Sequence, residues 1–399
     1  MTINVIWQFA ANGLGFAISV LAAYLMIESD YIIYILACSI AVLGCIAIER
    51  GMPQFLVLQK NKLDSNEWHL RYNTYKEYVN TLSIVLLLIS FILFLNSAVS
   101  EISLALCVLV ILILSRSQNI LNHSNQSWPA YRKLLILPNV LRIILLLTVG
   151  LIISYPKVQL EYLTIGTFLT AIICLIFFFY QNKSRRISKP KLFSIYNFKA
   201  QTFDFSGSAM YVALLIVAFI VRAEQILVSV LFDEILAAGL LAMIALGSVV
   251  SVASTGVQQF LITTKENRNF KNISRLILFG LVIAFSLAFA ISYFDYQIVR
   301  FLYPDQFIIA AKFLPLIILS HSLGLAFIVP ESELLKISIP TYASIKLFEL
   351  FMVAIIAPLL MIYTEEMLWF FVTICISRIL SGVTSTYFLF SQYEGENIE

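Results

Sequence analysis

Charge is what this sequence has least of. Lys, Arg, Asp and Glu supply 12% of its 399 residues while apolar types supply 60%, whereas a globular domain draws about a quarter of its residues from the charged types. That shortage excludes a water-soluble fold and leaves a polytopic membrane protein. Histidine is scarcer still: His69, His123 and His321 are scattered without ligand spacing, so no metal site is expected. The five cysteines, Cys38, Cys45, Cys107, Cys174 and Cys375, all fall in apolar runs and read as packing residues rather than a disulfide framework. Long outer loops are also missing, and with them the platform on which a membrane glycosyl polymerase or acyltransferase would build its site. No catalytic residue, no enzymatic activity and no cofactor are expected. Residues 1–4 carry no basic run and no small-residue cleavage site follows, so the first apolar segment is expected to stay in the protein.

What is present is a series of apolar runs, each long enough to cross hydrocarbon, which takes roughly 20 residues. In the first half they lie at 5–27, 31–49, 79–96, 102–121, 134–155 and 160–180. In the second half they lie at 208–232, 235–262, 273–302, 308–329, 340–363 and 368–390. The hydropathy criterion therefore gives an all-α membrane protein of about twelve transmembrane helices.

The few charges are sorted by side. One alternate set of loops holds Arg50, Lys60, Lys62, Arg71 and Lys76, then Arg132 and Lys133, then the basic run from Lys183 to Lys199, then Lys265, Arg268, Lys271 and Arg275. The opposite set is short and acidic, with Glu28, Asp30, Glu101, Glu161, Asp233, Glu234, Asp305, Glu365 and Glu366 against the single base Lys157. Basic loops collect on the cytoplasmic side, so both termini are expected in the cytoplasm and the membrane is expected to be a bacterial cytoplasmic (inner) one. The net charge of +3 hides this asymmetry, and no nucleic-acid partner is expected.

A repeat organises the runs. Gly51-Met52-Pro53-Gln54-Phe55-Leu56-Val57 returns as Gly256-Val257-Gln258-Gln259-Phe260-Leu261-Ile262, 205 residues on. The same offset carries the first run onto the seventh and Glu28 onto Asp233. Two six-helix lobes related by a parallel pseudo-twofold repeat are the natural reading: residues 1–180, a basic cytoplasmic connector at 181–206, and residues 207–399. Trp68, Tyr72, Tyr75 and Val79 follow helical spacing among basic residues, which suits an amphipathic helix on the inner leaflet or an extension of the adjoining span. Leu192, Phe193, Tyr196 and Phe198 interrupt the connector and suit an inner-leaflet helix.

Function must lie with the polar groups inside the membrane, where a charge costs a few kcal/mol unless something buried uses it. These are mostly cationic. Arg222 is the deepest, and its repeat position is Ala17, so its charge is no symmetric feature of the scaffold. Arg142 and Arg378 sit at intermediate and central depth, each as suited to a helix contact as to a cavity. Lys346 has Glu349 one turn away, which favours a self-neutralised pair over a substrate contact. Arg116, nearer a helix end, can snorkel. Gln8 and Asn12 give the first helix a polar face. Cavity-lining Arg222, Arg142, Arg378 and Lys346, with Gln8 and Asn12, would suit a multiply charged oxyanion such as a diphosphate. Glu224 is the one acidic candidate for ion coupling in the seventh helix.

The run Arg222-Ala223-Glu224-Gln225-Ile226-Leu227, the turn at Asp233, and Gly239 with Ala242 resemble the seventh and eighth helices of the bacterial polysaccharide and O-antigen flippases of the Wzx type. The segment Phe301-Leu302-Tyr303-Pro304-Asp305-Gln306-Phe307-Ile308-Ile309-Ala310-Ala311 is similar to that family's stretch between the ninth and tenth helices, and Gln8 and Ile48-Glu49-Arg50-Gly51 also fit. The resemblance implies the MATE-like fold of the multidrug/oligosaccharidyl-lipid/polysaccharide exporters, with two lobes opening alternately to either side. It implies an undecaprenyl-diphosphate-linked oligosaccharide as cargo, membrane lipids around it, and a glycan polymerase and chain-length regulator as partners. Leu240 and Leu241 replace the family's usual tyrosine region and glycine is sparse in the outer turns, so substrate details do not carry over. The alternative is a multidrug or small-solute ion-coupled exporter of the same fold.

Overall fold

The computed structural model describes residues 2–50, 52, 56, 64–95, 100–125, 139–144, 146–148, 160–183, 205–263 and 270–396, and they are almost entirely helical. Among the described residues nine helices are long and apolar enough to cross a membrane, from Glu28–Glu49 to Leu368–Gln392. Of the other three expected spans, the first and fourth are helical in their backbone, and the fifth is described only within Asn139–Thr148. The chain divides into two compact units, Met1–Tyr211 and Val212–Glu399. Most of the expected connector at 181–206, including Leu192 to Phe198, lies outside the described residues.

The first unit contains α1 (Thr2–Leu25), α2 (Glu28–Glu49), α3 (Ser65–Phe94), α4 (Ser100–Asn125) and α5 (Leu160–Lys183), and α6 (Phe205–Leu231) begins in it. α4 packs against α2, α3 and α5. Its Leu104, Cys107, Val110, Ile113 and Leu114 are all buried, as a helix that is apolar all round must be if it sits in the middle of a bundle. Ser90 and Ser103 tie α3 to α4 by donating to each other's carbonyls at 3.0 and 2.9 Å, the small-polar contact that helices use where the solvent offers no hydrophobic drive. α3 is unbroken from Ser65, so the Trp68, Tyr72, Tyr75 and Val79 stripe is an extension of the span. All four are buried, Trp68 stacks on Tyr72 with centroids 5.4 Å apart, and Trp68 Nε1 donates to the Leu56 carbonyl at 2.8 Å. The stripe faces protein rather than lipid headgroups. Both outcomes share one period, and only the packing partner separates them.

The second unit contains α7 (Glu234–Thr263), α8 (Phe270–Ser292), the short amphipathic α9 (Asp295–Leu302), a 3₁₀ segment (Asp305–Phe313), α10 (Leu314–Ala326), α11 (Ile328–Ile337), α12 (Ile339–Phe351), a π turn (Met352–Ile356), α13 (Ala357–Thr364) and α14 (Leu368–Glu396). The expected span 273–302 is thus two helices, with Tyr293 and Phe294 in the turn between them. The expected span 308–329 likewise starts as a 3₁₀ helix and breaks at Phe327. The π turn has a cause in Pro358: its ring clashes with the carbonyl four residues back, and the extra residue lets Ala357 N–H reach the Met352 carbonyl. α8 turns small residues inward and large ones outward. Ala284 and Ala288 are buried, Gly280 lies against Ala326 of α10, and Leu278, Phe279, Phe285 and Phe289 are exposed. That is the pattern of a helix between protein and acyl chains.

Two segments singled out in the sequence pack on each other. A Cβ on Gly239 would stand 2.9 Å from the Ala310 Cβ, so α7 approaches the 3₁₀ segment as closely as glycine permits. One turn on, Tyr303 Oη donates to the Ala242 carbonyl at 2.9 Å in a buried site. We predict that Tyr303→Phe lowers stability by about 1 kcal/mol through the lost hydrogen bond. Gly239→Val should sharply reduce the folded fraction, since its bulk meets backbone as well as Ala310. Thermal unfolding of detergent-purified protein beside membrane abundance checks both, and an unchanged melting point for Gly239→Val would show that the crossing is looser than described.

Candidate functional site

The buried charges of the second unit gather around Arg378. α14 sets this side chain in the middle of its span, 12% exposed, and its Nη1 donates to the Ser320 carbonyl of α10 at 2.8 Å. Its Nη2 stands 3.6 Å from Glu224 Oε2 of α6, close enough for attraction but beyond a hydrogen bond. Its Nε has no hydrogen-bond partner. Neither oxygen of Glu224, 1% exposed, has one either. His321, the residue after the Ser320 acceptor, brings its Nε2 to 4.0 Å from the same Glu224 oxygen. The space it occupies exists because α7 has Gly247 there: a Cβ would lie 2.5 Å from the imidazole Cδ2. Arg222 is half-buried, donates from Nη1 to Gln225 Oε1 at 2.8 Å, and its charge acts on His321 together with that of Arg378.

Lys346 forms a neighbouring cluster. Its Nζ donates to Glu331 Oε1 at 2.7 Å, Glu349 Oε2 at 2.8 Å and Ser381 Oγ at 3.1 Å, so all three ammonium donors are taken. The expected Lys346–Glu349 pair is present, but it is half of a four-residue arrangement with Glu331 and Ser381. Glu331 comes from α11, fifteen residues away in sequence. The Arg378 charge reaches both of these carboxylates as well, so the two clusters share a member.

The first unit has its own pair of half-buried cations. Arg142 donates from Nη2 to Tyr34 Oη at 2.6 Å, sits over that ring at 5.7 Å from the centroid, and keeps an unpartnered Nε. Arg116 donates from Nη1 to Glu49 Oε2 at 2.9 Å, and Tyr75 Oη donates to Glu49 Oε1 at 3.0 Å. Arg116 is therefore committed to α2 and α3 rather than reaching away to the surface. Gln8 and Asn12 lie on α1, and their side chains fall outside the described ones. Among the described residues no group of three metal-ligating side chains assembles.

His321, Glu331 and Glu49 were not among the sequence candidates. His321 gave no signal because its partner lies on a distant helix, and Glu331 sits at a span end where acids are ordinary. Glu49 had one readable signal, an acid in the last turn of a span ahead of a basic loop.

No protein-family model matches the sequence, and no curated protein matches it. Solved structures do resemble it in fold. The Lipid II flippase MurJ in an inward closed conformation is similar with a TM-score of 0.65 and 13% identity, over 97% of this chain and 87% of that one. The Vibrio cholerae MATE transporter VcmN is similar with a TM-score of 0.55 and 13% identity, over 98% and 94%. An outward-facing multidrug resistance MATE family transporter of the MOP superfamily gives 0.50 and 12%, over 99% and 95%. The chain is an all-α, MATE-like membrane protein.

The saturated lysine generates a prediction. Lys346→Ala should cost about 3–5 kcal/mol by leaving buried carboxylates unpaired. Adding Glu349→Ala should recover only part of that, because Glu331 remains, and Lys346→Met with Glu331→Gln and Glu349→Gln should recover more. Melting points of the purified variants check this, and full recovery in the double variant would remove Glu331 from the arrangement.

Proposed function

We propose that this protein is a flippase that moves a polyprenyl-diphosphate-linked oligosaccharide, of the O-antigen or capsule type, from the inner to the outer leaflet of a bacterial cytoplasmic membrane by alternating access. One observation carries the reading: guanidinium donors remain uncommitted in the membrane interior, at Nε of Arg378 and of Arg142, where an unmade hydrogen bond is costly. An oxyanion with two acceptor oxygens on one centre, such as a phosphate, is the partner that completes such donors bidentately. In the second unit Arg222 and Arg378 are assigned to the diphosphate head group; in the first unit Arg142 is assigned as a further cation for an oxyanion, and Gln8 and Asn12 to neutral polar contacts. Lys346 is assigned to helix packing, since its donors are spent. Glu224 is assigned to ion coupling.

The physics of the cargo fits this assignment. A diphosphate cannot cross hydrocarbon alone, so fixed cations lower its barrier, and an inside-negative potential favours outward anion movement by about 2.3 kcal/mol per charge per 100 mV. The fold likeness to a lipid II flippase supports a lipid-linked cargo, and that to multidrug transporters supports the alternative, a multidrug or small-solute exporter. In that alternative Glu224 would be the contact for a cationic drug. Arg378 at 3.6 Å counts against it, because the carboxylate already faces a cation.

In a strain carrying the protein, Arg222→Ala, Arg222→Glu and Arg378→Ala should abolish surface glycan at normal membrane abundance while lipid-linked intermediate accumulates on the inner leaflet. Arg222→Lys should retain part, having the charge without the fork. Wild-type glycan in Arg222→Ala and Arg378→Ala removes the head-group assignment, and drug efflux lost in Glu224→Gln favours the alternative. For the proposed orientation, single cysteines at Lys62, Arg186 and Lys271 should resist impermeant thiol reagents in intact cells while ones at Asp30 and Asp233 label. Outside labelling at position 186 would reverse it.

A further inference from the structure

The second unit holds an acid–base pair more deeply buried than the arginines beside it. Glu224 and His321 are 1% and 4% exposed, whereas Arg378 is 12% exposed and Arg222 is half-buried. The guanidinium groups are therefore the less enclosed part of the cluster and the pair the more enclosed. Both Glu224 oxygens and His321 Nε2 lack hydrogen bonds, yet the two groups face each other at 4.0 Å, one small movement from sharing a proton. Gly247 is what lets the imidazole stand there.

The charges facing the pair are Arg222 from α6, and Arg378 with the thiol Cys375 from α14. Lys346, Glu331 and Glu349 from α12 and α11 connect to them through Arg378. Three cations, Arg222, Arg378 and Lys346, thus stand with three carboxylates, Glu224, Glu331 and Glu349, around His321. A diphosphate arriving at the arginines adds negative charge to this set, and uncompensated charge at low dielectric is expensive. A metal cation could offset it only with a shell of oxygen ligands, whereas Glu224 is flanked by a guanidinium and an imidazole. A proton needs no shell.

We propose that anion binding at Arg222 and Arg378 drives uptake of one proton onto the Glu224–His321 pair, so that cargo and proton are held together rather than in alternation. The proposal rests on the reading of those arginines as the head-group site. The proton comes from solution, and no bond other than its own to the pair is made or broken.

The test is calorimetric titration of farnesyl diphosphate into the purified full-length protein in lipid nanodiscs at pH 7.5. Buffers of different ionisation enthalpy give the protons exchanged per ligand. The probe's own proton changes are common to all variants, so the difference between wild type and Glu224→Gln isolates the pair. Wild type should take up about one proton more than Glu224→Gln, and His321→Gln should also fall below wild type. Wild-type affinity should rise by up to about tenfold more per unit fall in pH than that of Glu224→Gln, the limit for one linked proton. Should Glu224→Gln fail to purify folded, the His321→Gln comparison decides. Equal counts in wild type and variants overturn the inference and leave the diphosphate site standing. Absence of farnesyl diphosphate binding to wild type removes that site and the inference with it.

Discussion

A charge inside hydrocarbon must find its partner in protein, and this constraint organises everything distinctive about the molecule. With 12% charged residues, few side chains fall under it, and the described ones resolve it in three ways. Lys346 is saturated by two carboxylates and a hydroxyl. Arg116 is matched to Glu49 with Tyr75 on the other carboxylate oxygen. Arg378 is left incomplete, with one donor on a carbonyl, one facing a carboxylate beyond hydrogen-bond reach, and one with no partner. The first two hold helices together. The third is where a ligand would lower the free energy most, because the protein has already borne the cost of placing the cation there.

That gradation also explains which parts could be read from sequence. Spans were legible because hydrocarbon thickness imposes their length, and the deep cations because they interrupt apolar runs. The Lys346–Glu349 contact was legible because both lie on one helix face. Glu331 was not, because its approach depends on how α11 and α12 fold back, and no local periodicity records that. The same holds for His321 and Glu224, which stand 4.0 Å apart although they come from helices nearly a hundred residues apart in sequence. The turn between α8 and α9 was hidden for another reason: no glycine or proline falls between Gly280 and Pro304 to mark it.

The sequence resemblances acquire a physical content from the fold. Gly239, Ala242 and Tyr303 need not touch cargo to be constrained. Gly239 allows the 3₁₀ segment to lie against α7, and Tyr303 locks that contact through the Ala242 carbonyl. Such positions report architecture, which is what the likeness to MATE-like structures at 12–13% identity also reports. The deep arginines and the pair beside them are a separate layer of the sequence, free to differ between proteins that share the scaffold.

Between α10 and α11 the chain breaks at Phe327, whose ring fills the place where Gly382 of α14 would carry a side chain. Ser381, a ligand of Lys346, is the adjoining residue, and Arg378 lies one turn earlier on the same helix. The rotational setting of α14, and with it the aim of both groups, is therefore keyed to a ring seated on a bare stretch of backbone. The two positions are therefore sterically coupled. A side chain gained at 382 would need a smaller residue at 327 or a turn of α14, and a turn of α14 would re-aim Ser381 and Arg378 without any substitution among the charged residues themselves.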